Sequence, residues 1–556
     1  MIIDLIVCII TKLIQMRSFY DRRIYAIFLI YACHDAVIRA CVISKIIRID
    51  IIAHGSEKQI RPDVNILIHI NININSDILH ISLIMNKVKT TGLNIKSYLL
   101  FFIMISISLL IYIIPLLTDG LFNISDSVYS IIYISISLLI TMVFISQKEQ
   151  LTSPMFLFNC TCFLFLGGRF FSHFILGDLW DIFELNFLTK FNSNNIETLN
   201  IFLIVIVFQI FSNLGYFLTN VSYNPHAKIY PRSKLASRLI YIALFTSFFL
   251  VIYNQYSLLA ETMSDGYLSR YSEKQSTAYS GGDTLIVSIF YVLIGISFSI
   301  MNRKIQMICC ILVLIYGVMN VLGGQRGPFV VSLLFCLWFY GLNKKISLKK
   351  ILIFCFVCLF AVTAISSITA RGDRYADLDL LKYIGVFLYH QGITLSVINY
   401  GINQIGDAYP IYPYITSFLP GGGRIASMIA GKSLMPYELG FGAFTANFAN
   451  PQEYLNGRGT GWSIVGNLYF FSGCNLFIYS MISYAFGAII KYLNTKSRMS
   501  MFYFGLLACI IPALFFVARA EFKTVFTTAI IYCVFYLVYI VFDKLIMYRK
   551  FVSSDK

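Results

Sequence analysis

Charge is scarce in this chain of 556 residues: Asp, Glu, Lys and Arg together make up 13%, about half the ~25% of a typical soluble domain. With 58% of residues apolar or aromatic, there is too little polar side chain to cover a water-soluble fold. That excludes a string of soluble domains and leaves one integral membrane body. Metal-ligand spacing is also missing. The 13 Cys are odd in number, and most lie in apolar runs, where a free thiol behaves as a small hydrophobe. Cys160-x-Cys162 and Cys309-Cys310 lack zinc spacing. The 7 His are scattered, with no His-Glu-x-x-His pattern. A disulfide framework and a metal centre are therefore not expected. Nor does the N-terminus form a signal peptide, because Asp4 and Lys12 interrupt its first apolar runs.

What is present is a succession of apolar runs. Residues 1–84 stand apart as an atypical leader with no run long enough to span. Their Ile/Asn alternation at Ile70 to Asn75 has the period of a strand, and Met85 reads as a start just before the first span. The transmembrane domain is then 85–556. Spans are expected near 98–118, 127–146, 155–176, 199–218, 239–259, 284–301, 305–322, 328–342, 351–368, 468–490, 500–518 and 525–543. In lipid each backbone polar group must bond internally, so these are helices and the fold class is an all-α polytopic membrane protein. Lys and Arg alternate between rich and poor loops along the chain, which by the positive-inside rule makes both termini cytoplasmic. Most of the net charge of +16 is thus membrane topology rather than a nucleic-acid footprint.

One connection is long. Residues 369–467 form a large outer loop rich in Gly, Pro, Tyr and Asn. Within it Leu378–Val397 reads as an amphipathic or re-entrant helix, and Pro410, Pro413, Pro420 and Gly421-Gly422-Gly423 mark irregular chain. Long loops on a membrane scaffold commonly carry function. The cytoplasmic loops are Lys-rich, whereas Arg326, Arg371, Arg374, Arg424, Arg458 and Arg519 fall on the outer side. Arg presents a planar fork suited to phosphate oxygens, and orientation alone needs only charge. This set is therefore a candidate site for a lipid-linked phosphate or diphosphate; the competing reading pairs the arginines with carboxylates such as Glu438, Glu453 and Glu521. Arg326 is the most informative, in the turn Gly323-Gly324-Gln325-Arg326-Gly327-Pro328. Arg169, in Gly167-Gly168-Arg169, is a charge inside a span and so a functional candidate, or a partner of Asp178 or Asp181. At the loop's end, Gly457-Arg458-Gly459-Thr460-Gly461-Trp462-Ser463 suits a mobile approach to a ligand. Trp462 there is either an interface anchor or a platform for a sugar ring.

These features resemble the Wzy-type O-antigen polymerases, or oligosaccharide repeat-unit polymerases. The resemblance covers residues 85–556 and rests on the span count, the late outer loop, Gly323 to Phe329, the Gly457–Ser463 run and Arg519. Family members often have Glu a few residues after that Ser; Gly466 and Asn467 stand here instead. The resemblance implies a fold similar to GT-C type glycosyltransferases and a bacterial inner-membrane enzyme. It would transfer a glycan from undecaprenyl diphosphate to a lipid-linked repeat unit on the periplasmic face. The implied partners are the undecaprenyl-diphosphate-linked oligosaccharide, the lipid bilayer and a chain-length regulator of the Wzz type, with no cofactor, metal or nucleic acid. The six outer arginines would contact the diphosphate, and His390, Asp373 or Glu438 would act as general base. An O-antigen ligase and a lipid-linked oligosaccharide flippase or transporter are the alternatives.

Overall fold

A computed structural model describes residues 95–117, 124–177, 180–222, 233–265, 281–354, 356–357 and 380–554. The leader with Met85, most of the expected span 351–368, Asp178, and Arg371, Asp373 and Arg374 lie outside the described residues. The chain divides into two compact units, residues 1–95 with 106–123 and residues 96–105 with 124–556; the contacts that follow are all within the second.

The helices run in order α1 (Ile95–Leu117), α2 (Asp126–Ser146), α3 (Pro154–Phe165), α4 (Gly168–Leu176), α5 (Asn195–Leu218), α6 (Lys234–Asp265), α7 (Gly281–Ser299), α8 (Arg303–Leu322) and α9 (Arg326–Gly341). A small antiparallel hairpin, β1 (Leu185–Phe187) and β2 (Thr189–Phe191), separates α4 from α5. After residue 380 come α10 (Leu380–Gln391), α11 (Ile393–Tyr400), a π-helical turn Gly401–Ile405, α12 (Tyr412–Phe418), α13 (Gly422–Ala430), a 3-10 turn Pro436–Leu439, α14 (Phe441–Ala449) and α15 (Pro451–Leu455). The chain closes with α16 (Ile464–Phe471), α17 (Leu476–Ser497), α18 (Met501–Phe516), a 3-10 turn Val517–Arg519 and α19 (Lys523–Ser554).

Among the described residues, seven helices are long and apolar enough to cross a membrane: α2, α5, α6, α8, α17, α18 and α19. The pair α3–α4, bent by 50°, makes an eighth candidate. The bend falls where Gly167 faces the Tyr133 ring so closely that a Cβ would stand 2.2 Å from it. The chain is thus an all-α, multi-pass membrane protein. One expected span shifts. The apolar run 468–490 is broken at Gly473 (φ 63°) and Cys474 (φ 58°), and the membrane helix starts afresh at Leu476. The reason is local: Asn475 caps α17 by accepting from Phe477 N at 3.0 Å and Ile478 N at 3.1 Å. Hydropathy alone does not register such a cap.

Helix α5 is the most enclosed span, 78% of its apolar window being buried. It starts at a capping box: Asn194 Oδ1 accepts from Glu197 N at 3.0 Å, and Glu197 returns an oxygen to Asn194 N at 2.9 Å. It crosses α17 at glycines of both helices. A Cβ on Gly215 would stand 1.9 Å from the Tyr484 carbonyl oxygen, and one on Gly487 1.7 Å from that of Ser212. In lipid, where apolar burial gains little, such close approach is what binds helices together. Buried polar groups are matched across the same bundle. Asn159 and Asn213 exchange amide hydrogen bonds of 2.8 and 3.1 Å. Lys491 pairs with Glu149 at 2.8 Å, and Glu149 also accepts from the Tyr216 hydroxyl at 3.2 Å.

The long loop is not irregular chain. From residue 380 onward it folds into short helices around its own aromatic core. Phe441 lies parallel to Phe470 (5.4 Å, 2°) and to Trp462 (5.9 Å, 11°), and Tyr409 packs on all three. Leu185 and Phe191 of the hairpin join this cluster. The stretch expected as a single amphipathic helix is instead two, α10 and α11, buried for most of its length from Gly385 on. They divide at Gly392, where a Cβ would meet the Arg169 backbone nitrogen at 2.6 Å.

Candidate functional site

Two distant arginines come to one helix. Phe387 and Gln391 lie one turn apart on α10 and so on the same face. The Arg326 guanidinium sits 5.6 Å from the Phe387 ring centroid. Arg519 donates from Nη1 to Gln391 Oε1 at 2.8 Å, and its guanidinium lies 5.7 Å from the Phe165 ring. The supporting elements converge as well. Gly327 faces Phe516, where a Cβ would stand 2.5 Å from the ring, and Phe516 meets Phe165 edge-on at 6.0 Å. Val321, Phe329 and Phe387 form an apolar cluster beneath, with Leu164 and Leu388 packed against it. The start of α9, the end of α18, the end of α3 and the middle of α10 thus surround two cations.

The turn at Arg326 is fixed by its backbone. Gly324 has φ 82°, a conformation that favours glycine, and Gln325 N bonds back to Asn320 O at 2.8 Å. Arg326 then opens α9, and Gln325 caps it without a side-chain hydrogen bond. The amide end of that helix carries partial positive charge beside the guanidinium.

The turn at Arg519 is held at three points. Besides Arg519 on Gln391, Glu521 Oε1 accepts from Gly442 N at 2.8 Å, and Asn467 Oδ1 accepts from Phe522 N at 3.0 Å. Gly440 leaves room for the Glu521 carboxylate, since a Cβ there would stand 2.9 Å from Oε1, and Gly442 packs instead against Gly461 and Trp462. Burial pushes the Glu521 carboxyl above its ordinary range, and the Gly442 N–H and Lys523 pull it back in part. Two further donors are buried here without a partner among the described residues: Asn467 Nδ2 and Trp462 Nε1. Buried unpaired donors are costly, and a Cβ on Gly466 would come within 3.2 Å of Trp462 Nε1.

The other expected site residues sit elsewhere. Arg458 is paired with Glu453 at 2.6 Å, as the carboxylate reading foresaw for one arginine. Arg519, in contrast, takes a Gln rather than Glu521. Arg424 is exposed on α13. Glu438 accepts from Met435 N at 2.7 Å and pairs with Lys432 at 3.4 Å, stabilising its own 3-10 turn. His390 is exposed beside Gln391 and lies edge-on to Trp180 at 5.8 Å. Asp373, Arg371 and Arg374 fall outside the described residues.

Arg169 makes no ion pair with Asp181, the one expected carboxylate among the described residues. It is buried, donates to the carbonyls of Ile182 (2.9 Å) and Glu184, and covers the Tyr389 ring at 4.1 Å. Its fork ties the chain before the hairpin to α10. Trp462 is neither an interface anchor nor an open platform; it is 1% exposed, because the Gly461 turn (φ 75°) folds it into the aromatic core. Gln391, Asn467 and Glu521 are the site members that sequence reading left unassigned. The sequence marks Asn467 only together with Gly466, in the region after Ser463, and Glu521 only as a carboxylate that could pair with an arginine.

A family model for the O-antigen polysaccharide polymerase Wzy matches residues 97–550. The chain belongs to that family. It is therefore a multi-pass membrane O-antigen polymerase of the Wzy family, a glycosyltransferase-type enzyme acting on lipid-linked oligosaccharides in membranes. The match spans α1 to α19, so it takes in every element that contributes to the site. No curated protein and no solved structure matches the chain.

Proposed function

We propose that this polymerase transfers a growing glycan from undecaprenyl diphosphate to the sugar of a second lipid-linked repeat unit, at the periplasmic face of the bacterial inner membrane. The observation that carries the reading is the convergence of Arg326 and Arg519 on one turn of α10. In this reaction the bond from the anomeric carbon to the diphosphate oxygen breaks, and a bond to the acceptor hydroxyl oxygen forms. Negative charge develops on the departing diphosphate, and fixed cations placed there lower the barrier. Arg326 and Arg519 supply the planar donors, and Phe387, Phe165 and Gln391 hold them in place. Arg371 and Arg374 are secondary contacts for the carrier, whereas Arg424 and the Glu453-paired Arg458 stand apart from the two-arginine site. The protein's own arginines, rather than a metal ion, provide the positive charge.

The acceptor hydroxyl must lose a proton. We assign this to Glu521, whose raised proton affinity suits a base working nearer neutrality. It lies two residues from Arg519, and its Oε2 has no hydrogen bond among the described residues. His390, beside Gln391, is the second candidate, ahead of Glu438 and Asp373. In this topology both termini are cytoplasmic, residues 85–556 form the polymerase domain, and 369–467 is its periplasmic part, within reach of a Wzz-type regulator.

The test uses the full-length protein reconstituted with purified lipid-linked repeat units. Ladders of polymer on the lipid carrier are the expected product. Transfer onto lipid A core alone would make the protein a ligase, and no covalent product with efficient lipid translocation would make it a flippase.

A further inference from the structure

Helix α13 wears its amphipathicity the wrong way round for a helix packed on a protein core. Its small residues Gly422 and Ala426 are buried, whereas Ile425, Met428 and Ile429 are exposed, Met428 at 79% and Ile429 at 63%. Residues 425, 428 and 429 have the spacing of a single helical stripe. Leu419, just before the helix, and Met435, just after it, are exposed too. Cations flank the stripe: Arg424 in its first turn and Lys432 beyond its end, both exposed.

The helix is held rigidly in this posture. Gly421 (φ 70°) and Gly431 (φ 64°) turn the chain at its two ends. A Cβ on Gly422 would stand 2.9 Å from the Thr416 backbone, so α13 rests closely on α12. The return is tied by Leu434 N donating to Ser427 Oγ at 3.3 Å. Helix α12 in turn packs on the first turns of α19, through Phe418 against Phe526 (5.6 Å) and Phe522 (6.2 Å). The α19 segment Lys523–Tyr548 is one of the candidate spans, and it exposes its own apolar face, including Leu537, Val538 and Val541. The exposed stripe of α13 therefore stands beside the end of a membrane helix, where hydrocarbon gives way to headgroups.

We propose that α13 is an interfacial anchor whose Ile425–Met428–Ile429 face enters the headgroup–acyl boundary of the bilayer, with Arg424 and Lys432 engaging anionic lipid headgroups. Apolar insertion with flanking cations is the pattern of helices that lie in the membrane plane. The occupant is the phospholipid surface, because the stripe adjoins a helix that is itself lipid-facing and because both flanking charges are positive. The proposal rests on α19 as a membrane span and not on the polymerase reading.

Substitution of an exposed side chain tests it. Met428→Trp and, separately, Ile429→Trp are made in the full-length protein, which is then placed in phosphatidylethanolamine/phosphatidylglycerol vesicles. Emission is compared with the parent protein and with Leu455→Trp, at an exposed position on α15. The added Trp at 428 and 429 is expected to emit blue-shifted light. Lipids brominated near the headgroup should quench it, and aqueous acrylamide should not. The Leu455→Trp emission should respond in the opposite way. Quenching of both α13 reporters by acrylamide alone would overturn the proposal, as would quenching by neither agent, which would mean that protein covers the stripe. Replacing phosphatidylglycerol with phosphatidylcholine should weaken the bromolipid quenching; an unchanged signal would remove the role of Arg424 and Lys432. Polymer synthesis is not the readout, so failure of the enzymatic reading leaves the result standing.

Discussion

Arg519 reaches back along the chain to Gln391, Nη1 to Oε1 at 2.8 Å, across 128 residues. The neutral amide of Gln391 accepts from the guanidinium and so orients it. The same guanidinium faces Phe165 at 5.7 Å, so an amide and a ring both help to position it.

Removing either site arginine should stop polymerisation. Arg519→Ala and Arg326→Ala are each expected to lower the rate of chain extension by about 100-fold or more, the scale of losing one donor to a developing oxyanion. Both should still insert in the membrane. Arg519→Lys should recover little, because one ammonium does not replace a planar fork. Polymer ladders from reconstituted protein give the readout.

Arg424 separates the two roles assigned to cations in this chain. Arg424→Ala is expected to change polymer length by less than about threefold, since an exposed charge contributes roughly 0–1 kcal/mol. It should weaken contact of α13 with anionic vesicles. A loss comparable to that of Arg326→Ala would move Arg424 into the diphosphate site.

Glu521 makes the protein pH-sensitive in a defined direction. Burial raises its carboxyl above the ordinary carboxylate range, against the lowering effects of Gly442 N–H and Lys523. Its folded pKa exceeds its unfolded one, so its contribution to stability is fully present below the unfolded value and is lost as pH rises through the folded value. Glu521→Gln keeps an acceptor for Gly442 and removes the titration. Thermal unfolding in detergent should therefore show a fall in stability with rising pH, from about 4.5 upward, that the variant lacks. If Glu521 is the base, the variant also loses the rise in activity over that interval, while His390→Gln retains it.

Trp462→Ala discriminates core from sugar platform. A buried Trp removed from an aromatic stack costs about 3–5 kcal/mol, so the variant should melt far below the parent. Trp462→Phe should restore most of that stability and activity together. Activity lost from the Phe variant without a change in melting would favour direct contact with the sugar.

The helix crossings are equally testable. Gly487→Ala places a methyl 1.7 Å from the Ser212 carbonyl oxygen and should destabilise by about 1–3 kcal/mol or more, as overpacking does. Ala at Gly459, where nothing stands within 4 Å, should be tolerated. Monodispersity in detergent and the melting temperature distinguish the two.

Composition alone determined that this is a membrane protein, because an apolar chain with 13% charge cannot be covered by water. Apolar length located most of the helices, since lipid leaves the backbone no partner but itself. Residue type singled out a set of six arginines, Arg326, Arg371, Arg374, Arg424, Arg458 and Arg519, because orientation alone needs only positive charge and not the planar fork of Arg. Tertiary structure decided what hydropathy does not encode. The Asn475 cap breaks one apolar run, and aromatic packing turns a Gly- and Pro-rich loop into a folded core around Trp462. Contacts across 61 and 128 positions of chain bring Arg326 and Arg519 to one helix, whereas Arg458 pairs with its near neighbour Glu453. Those selections depend on which side chains meet after folding, and spacing along a chain carries no record of that.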